Sequence, residues 1–549
     1  MAWYDSAVFY HIYPLGLCGC PHDNHGEQGS HFNKITEWSD HAQRIGCTAI
    51  YIGPLFKSGS HGYDTIDYRT VDNRLGTNED FKAYVKHCHK IGMKVIVDGV
   101  FNHTGRGFFA FEDLMRNREH SRYRDWYCNV NFWGNNEYND GFSYDNWGGH
   151  NLLVKLNMWN QEVKNYLFDT VRFWITEFDI DGIRLDAADV LDFGFMRDLR
   201  GVCDAMKPDF WLMGEVIHGD YSRWANAGML HSVTNYELHK GLFSGHNDHN
   251  YFEIAHSVKR LLGIVGDKIR LYTFVDNHDV ARIYSKLNNK AHLANVTMLL
   301  YTLPGIPSVY YGSEFGVEGN KEWGSDWNLR PCLELSDFDE NADLPKLHKA
   351  LGRLKAQFPA LTWGEYKELS LTTQQYAFAR TLDGKSVVTA LNNGDNAAHL
   401  EIPLPVNANH AVNLLTLPDE TEADNDAAAA LRAEHLKEAK AELTVMADEL
   451  YESAGAVRDA SREVKKAVKK IKVTGDALKE QMGDSLAEMR AAMNELQKVY
   501  DAFAEKCGAQ TEMQSAGSME GCQTLEIRDG RLIVDLLPNS GVVALVDWQ

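Results

Sequence analysis

The chain has 549 residues, with 77 acidic against 55 basic side chains and a formal net charge of −22. That length exceeds a single hydrophobic core and implies two or three domains, while the acidic balance argues against nucleic acid or another polyanion as partner. Met1 to Tyr13 carries no basic-then-apolar leader and no long apolar run follows, so the expectation is a cytoplasmic protein without membrane contact.

From the start to about residue 360, short apolar runs alternate with stretches of helical periodicity, the pattern of a parallel α/β layout. Strands are expected near Val8–Tyr13, Ala49–Ile52, Val95–Gly99, Gly182–Leu185, Trp211–Glu215, Val233–Asn235, Leu271–Val275 and Ser308–Tyr311, with helices at Glu79–Ile91, Gln161–Phe178 and Phe195–Met206 among the crossovers. Eight such strands close naturally into a (β/α)8 barrel, whose site lies at the strand C-termini. The barrel is assigned to residues 1–103 and 161–360. Residues 104–160 are too long for a plain crossover and are read as a small loop subdomain. Their aromatics, Trp126, Tyr127, Phe132, Trp133, Tyr138, Phe142, Tyr144 and Trp147, fit sugar stacking and a local core equally well.

After Phe358 the pattern turns β-like, stops near residue 417, and resumes near Thr524, as one antiparallel β-sandwich (361–417 and 523–549) cut in two. Between the halves, residues 418–522 read as an all-helical insert. Leu436, Leu443, Leu450, Val457, Val464 and Ile471 recur every seven residues, and Met482, Leu486, Met489, Met493, Leu496, Tyr500 and Phe503 step by fours and threes. Both are helical seams. Gly475 and Asp476 supply a stop and a cap between them, giving a hairpin or small bundle. Whether it mediates protein contacts or is a grafted module stays open.

The chemistry concentrates at strand ends. In Gly182-Ile183-Arg184-Leu185-Asp186 the guanidinium and the carboxylate share a strand face, and the cation favours the ionised acid. Other runs finish on Glu215, on Asp276-Asn277-His278-Asp279, and on Asp98 to His103. Cys18, Cys20, His22 and His25 crowd one loop at a spacing that matches no usual zinc pattern. The nine cysteines are expected to be reduced.

These stretches, with His61-Gly62-Tyr63-Asp64-Thr65-Ile66-Asp67-Tyr68 and Gly305-Ile306-Pro307-Ser308-Val309-Tyr310-Tyr311-Gly312, occur in an order that resembles the α-amylase family of glycoside hydrolases (family 13). The likeness is greatest to its cyclomaltodextrinase and neopullulanase branch. It spans residues 1 to about 415 and the closing strands, not the insert. The resemblance implies a retaining α-glucan hydrolase for α-1,4 links, with α-1,6 links open. It implies Asp186 as nucleophile, Glu215 as acid/base and Asp279 as transition-state stabiliser. His103 and His278 would hydrogen-bond the sugar, Tyr63 would stack on it, and Asp64, Arg184, Asp326 and Arg330 complete the substrate contacts. A transglycosylase and a non-catalytic glucan-binding scaffold remain as alternatives.

Three departures from the family pattern stand out. Lys155 occupies a place where many relatives carry a calcium-ligating Asp, and an ammonium cannot ligate calcium, so no ion is expected between the barrel and the long loop. Calcium near Asp23, Asn24 and Glu27 is left as an open alternative to no cofactor. Asp189 and Val190 stand where the branch has Asn-Glu, which alters the leaving-group side. The chain also opens directly on the barrel, without the N-terminal domain usual in that branch, from which an open cleft is expected.

Overall fold

The computed structural model describes residues 2–266, 268–404, 408–416 and 522–548. The helical insert expected at 418–522 therefore lies outside the described residues apart from Cys522. Eight parallel strands form the first sheet: β1 (Phe9–Ile12), β2 (Ala49–Ile52), β3 (Lys94–Gly99), β4 (Gly182–Leu185), β5 (Trp211–Gly214), β6 (Ser232–Val233), β7 (Tyr272–Phe274) and β8 (Ile306–Tyr310). Their order is β6-β5-β4-β3-β2-β1-β8-β7. A parallel bridge between Thr234 and Tyr272 joins the two edge strands, so the sheet closes into a barrel. All eight expected strands are present. The sixth is shorter than expected because Asn235 leaves it to cap the next helix, its side chain accepting from the Leu238 N–H at 3.1 Å.

These strands are buried at every position but the first of β3, which is why they read as near-continuous apolar runs rather than alternating ones. Crossover helices α1 (Phe32–Arg44), α2 (Asn78–Lys90), α3 (Gln161–Phe178), α4 (Phe193–Met206), α5 (Tyr236–Asn247), α6 (Tyr251–Val265) and α7 (His292–Thr302) lie between successive strands, and α8 (Asp343–Gln357) follows β8. Phe9, Tyr51, Ile96, Trp211, Met213, Tyr272, Phe274 and Ile306 fill the barrel interior as one apolar cluster. Gly182 makes room for it, since a Cβ there would stand 2.6 Å from the Trp211 carbonyl oxygen and 2.8 Å from an Ile96 methyl.

The long third connection carries helix Phe109–Asn117 and an antiparallel sheet of three short strands, His103–Gly105, His150–Lys155 and Asn146–Trp147. Trp126, Tyr127, Phe142 and Tyr144 are buried there. For these four the packing reading holds, whereas Trp133, Tyr138 and Trp147 are exposed.

The C-terminal strands are β9 (Glu365–Leu371), β10 (Gln375–Leu382), β11 (Lys385–Asn392), β12 (Ala398–Pro403), β13 (Ala408–Asn413), β14 (Gln523–Arg528), β15 (Arg531–Leu536) and β16 (Ser540–Trp548). They pair as one antiparallel ladder, β9-β10-β11-β16-β13-β14-β15-β12. Ala377, Val388, Ile402, Leu532, Val534 and Ala544, from five of these strands, share a single core. Strands β13 and β14 are neighbours although more than a hundred residues separate them in sequence. Asn413 pairs with Gln523, and Gln523 N donates to Thr416 Oγ1 at 2.8 Å.

Candidate active site

The three candidate acids stand just past the C-terminal ends of β4, β5 and β7. Strands β4 and β5 run in register, Arg184 beside Met213 and Leu185 beside Gly214, and Glu215 N continues the ladder to Leu185 O at 2.9 Å. Asp186 and Glu215 are thus the first residues beyond two paired strand ends and stand opposite each other.

One guanidinium gathers three carboxyls. Arg184 Nη1 donates to Asp98 Oδ1 at 2.8 Å and to Asp186 Oδ1 at 2.9 Å, and its Nη2 lies 2.8 Å from Glu215 Oε2. Tyr51 and Tyr63 hydroxyls donate to the other Asp98 oxygen at 2.7 and 3.2 Å, so Asp98 braces the barrel mouth. Gly53 is required beside it, because a Cβ there would fall 2.6 Å from Asp98 Oδ2.

Residue Ala187, next to Asp186, adopts the left-handed region at φ 47°, which disfavours a side chain by about 1–2 kcal/mol. That turn aims its N–H at Glu215 Oε2, 3.1 Å away. Tyr236 OH approaches the other Glu215 oxygen at 3.4 Å and accepts from Asn277 Nδ2 at 3.3 Å.

Burial pushes the Asp186 carboxyl well above the usual range, and Glu215, Asp98 and Asp279 act in the same direction against Arg184. The expectation that Arg184 would keep this acid ionised is corrected on this point. Its single charge is divided among three carboxyls inside a desolvated site.

Asp279 behaves oppositely. Burial alone would raise it, but His278, Arg330 and Arg184 outweigh burial and hold it well below the usual range. His278 Nε2 is 2.9 Å from Asp279 Oδ2 and Arg330 Nη2 donates to Oδ1 at 3.0 Å. Arg330 also donates from Nε to the His278 carbonyl at 3.0 Å and lies over the Tyr13 ring.

Other candidates fall around this centre. Tyr63 is stacked with His278 and hydrogen-bonded to it. Asp326 lies 3.7 Å from Arg330 and 2.9 Å from Lys321. His103 is buried, and burial lowers it to about 3, so the ring is neutral; Nε2 donates to the Tyr63 carbonyl and Nδ1 accepts from Asn102, both at 3.2 Å. Both nitrogens are thus engaged within the protein, orienting Tyr63. Asp64 also serves the loop: it accepts from Ser60 N at 3.1 Å and Ser60 Oγ at 3.0 Å. Tyr13, Tyr51 and Tyr236 were not singled out from the sequence. Their signal was position, a tyrosine at or near the polar end of a barrel strand.

In the loop after β1, the Arg74 guanidinium donates to Pro21 O at 2.8 Å, His22 O at 3.1 Å, Ser60 O at 2.7 Å and Asp72 Oδ2 at 2.8 Å. Asn24 bonds Ser58, Asp72 and Asn73. Among the described residues no group of three His, Cys, Asp or Glu side chains is arranged to hold a metal ion.

The model of the α-amylase catalytic domain matches residues 21–399. The chain belongs to the α-amylase family. A cyclomaltodextrinase of Geobacillus thermopakistaniensis is 32% identical to this family member over 396 residues, 71% of this chain and 66% of that relative. Neopullulanase 2 of Thermoactinomyces vulgaris is 31% identical over 416 residues, 71% and 70% of the two chains. The debranching enzyme of Nostoc punctiforme superimposes with a TM-score of 0.67 at 29% identity, covering 74% of this chain and 91% of that one. This family member thus aligns with about two thirds of the curated cyclomaltodextrinase.

Proposed function

We propose that the protein hydrolyses α-1,4-glucosidic bonds, with α-1,6 bonds as a further target, in starch-derived oligo- and polysaccharides by double displacement. The observation that carries this reading is the Arg184 guanidinium holding Asp186 and Glu215 on neighbouring strand ends. A retaining glycosidase needs two carboxyls close together, one attacking the anomeric carbon and one protonating the leaving oxygen. In this scheme Asp186 is the ionised member of the pair and Glu215 the protonated one.

In the first step an Asp186 oxygen bonds to the anomeric carbon as the glucosidic C–O bond breaks and Glu215 gives its proton to the departing oxygen. The pair's proton must therefore sit on Glu215 while Asp186 attacks, with Arg184 Nη1 donating to Asp186 Oδ1 at 2.9 Å. In the second step Glu215 takes a proton from water, whose oxygen displaces Asp186 and restores both acids. Asp279, ionised at neutral pH by His278 and Arg330, faces the positive charge of the oxocarbenium-like transition state. Tyr63 and the exposed Trp147, whose ring lies 6.0 Å from His103, offer stacking faces to the sugar.

The relatives' names, cyclomaltodextrinase and neopullulanase, place cyclic and branched α-glucans first in a substrate panel. A 28% identical relative from Bacillus subtilis is named an intracellular maltogenic amylase, which supports cytoplasmic action on short glucans. No metal enters the scheme, and Arg74 serves as the cation of the loop after β1. Reducing-sugar release by the whole chain and by Asp186→Asn tests the proposal. The variant is expected to fold and to lose activity by at least about 10³-fold; equal release would refute it.

A further inference from the structure

At the opposite end of the barrel from the acids, a cavity of about 430 Å³ lies beside the starts of β7 and β8, between α6 and the segment Thr362–Tyr366. Its walls are divided in kind. Leu238, Val258, Leu261 and Leu271 give it an apolar side, while Arg270, Arg380 and the Thr362 hydroxyl give it a polar one.

Arg380, on β10, is only 3% exposed. Its guanidinium donates to three backbone carbonyls, Gly364 at 3.1 Å, Thr302 at 3.2 Å and Thr362 at 3.4 Å. Among the described residues no carboxylate forms an ion pair with it, and Glu365, the acid of the lining, is exposed. Five N–H donors serve a guanidinium, so two remain beyond these three bonds.

Lys355 lies behind, 2% exposed and likewise held by carbonyls, Leu361 at 2.8 Å and Gly305 at 3.4 Å. Arg270 lies 3.8 Å over the Trp363 ring, with Asp5 3.7 Å away. Burial, then the neighbouring cations, lowers both Lys355 and Arg380, the latter to about 9. Buried charges are ordinarily paired, whereas among the described residues Arg380 and Lys355 are held by backbone carbonyls and no carboxylate forms an ion pair with either. Thr362 Oγ1, in the same lining, is buried with no hydrogen-bond partner.

We propose that this cavity binds a small amphiphilic oxyanion, a carboxylate or phosphate head on an apolar body. Arg380 and Thr362 Oγ1 grip the head, and the α5 and α6 leucines and valine pack the body. The volume falls in the range of small-molecule sites and exceeds what a bare ion needs. Arg380 joins β10 to Thr302 at the end of α7, so an anion there ties the C-terminal sheet to the barrel and stabilises the folded chain by mass action.

The test uses the full chain with phenyl phosphate and benzoate as probes, inorganic phosphate as head alone and phenol as body alone, read by calorimetry and melting temperature. Phenyl phosphate, benzoate or both are expected to bind saturably and raise the melting temperature, with the stronger of the two assigning the head. Phosphate alone should bind more weakly and phenol not at all. Arg380→Met should weaken binding about tenfold or more, and Val265→Trp, which adds bulk to the cavity lining without removing a cation, should abolish it with glucan hydrolysis unchanged. Absence of saturable binding by both probes overturns the proposal. So does binding unaltered in Val265→Trp, or binding competed by maltotriose, which would place the probe in the catalytic cleft. Should Arg380→Met fail to fold, Thr362→Val takes its place, with the same direction expected.

Discussion

Replacing Arg184 by Met isolates the electrostatic argument, because the side chain keeps its bulk while the charge shared by Asp98, Asp186 and Glu215 disappears. Two unit charges about 4 Å apart interact by about 4 kcal/mol at an effective dielectric near 20. That corresponds to about three pK units on whichever acid loses the contact. Asp186, already raised by burial with Arg184 in place, rises further, and the nucleophile is then protonated at neutral pH. The acidic limb of kcat/KM, which reports the free enzyme's essential base, moves to higher pH. Activity near pH 6 drops by about 10²- to 10³-fold, with partial recovery as pH increases. The assay is hydrolysis of maltotriose from pH 4 to 10, with circular dichroism and melting temperature confirming the fold. A uniform loss at every pH, with the acidic limb unmoved, would refute the account and leave Arg184 a merely packing residue.

Tyr236→Phe removes the hydroxyl shared by Glu215 and Asn277 and is expected to lower kcat about five- to tenfold, the scale of one modest hydrogen bond; an unchanged kcat would show that this contact is idle. Deleting residues 418–521 and closing Leu417 to Cys522 with a short turn should preserve hydrolysis within about twofold, because Thr416 and Gln523 already meet; loss of folding would contradict it. His41 lies buried between Glu314 at 2.9 Å and Glu340 at 3.0 Å. Burial lowers it, but the two glutamates raise it above its ordinary 6.5, while Glu314 is held below its ordinary 4.5 by His41 and Tyr10 against burial. The histidine's contribution is complete below 6.5 and fades as pH rises through its raised value; the glutamate's is complete above 4.5 and fades as pH falls through its lowered one. The melting-temperature gap between wild type and His41→Gln should therefore be widest near pH 5.5 and narrow above neutrality, and a gap constant with pH would count against the network.

The barrel was legible because its strands are buried on both faces, so each reads as an apolar run that stops at a polar residue. The same stops mark the site: Asp186, Glu215 and Asp279 were visible as acids ending such runs. The two-residue strand Ser232–Val233 carries little pattern of its own, and Asn235, which reads as its continuation, caps a helix instead. The loop aromatics could not be sorted from sequence, because Trp126 and Trp133 look alike until one is packed and the other left in solvent. Arg380 was likewise hidden. It shares a β10 face with Tyr376 and Phe378, and a polar residue near a strand end ordinarily signals solvent, here replaced by the side of the barrel.

The sharpest gap between sequence and structure concerns charge, not position. Side-chain alternation along β4 placed Arg184 beside Asp186, and that pairing holds. Alternation within one strand carries no information about who else claims the guanidinium. Registered pairing puts Arg184 beside Asp98 on β3 and Met213 on β5, which brings Asp98 and then Glu215 to the same cation. Sharing one guanidinium with two other acids, Asp186 is left with burial pushing it up, whereas Asp279, with Arg330 and His278 beside it, is held down against burial. The opposite directions of Asp186 and Asp279 thus follow from strand register and from the number of partners each cation must serve. Moving a single positive charge, as Arg184→Met does, should therefore alter Asp186 far more than Asp279.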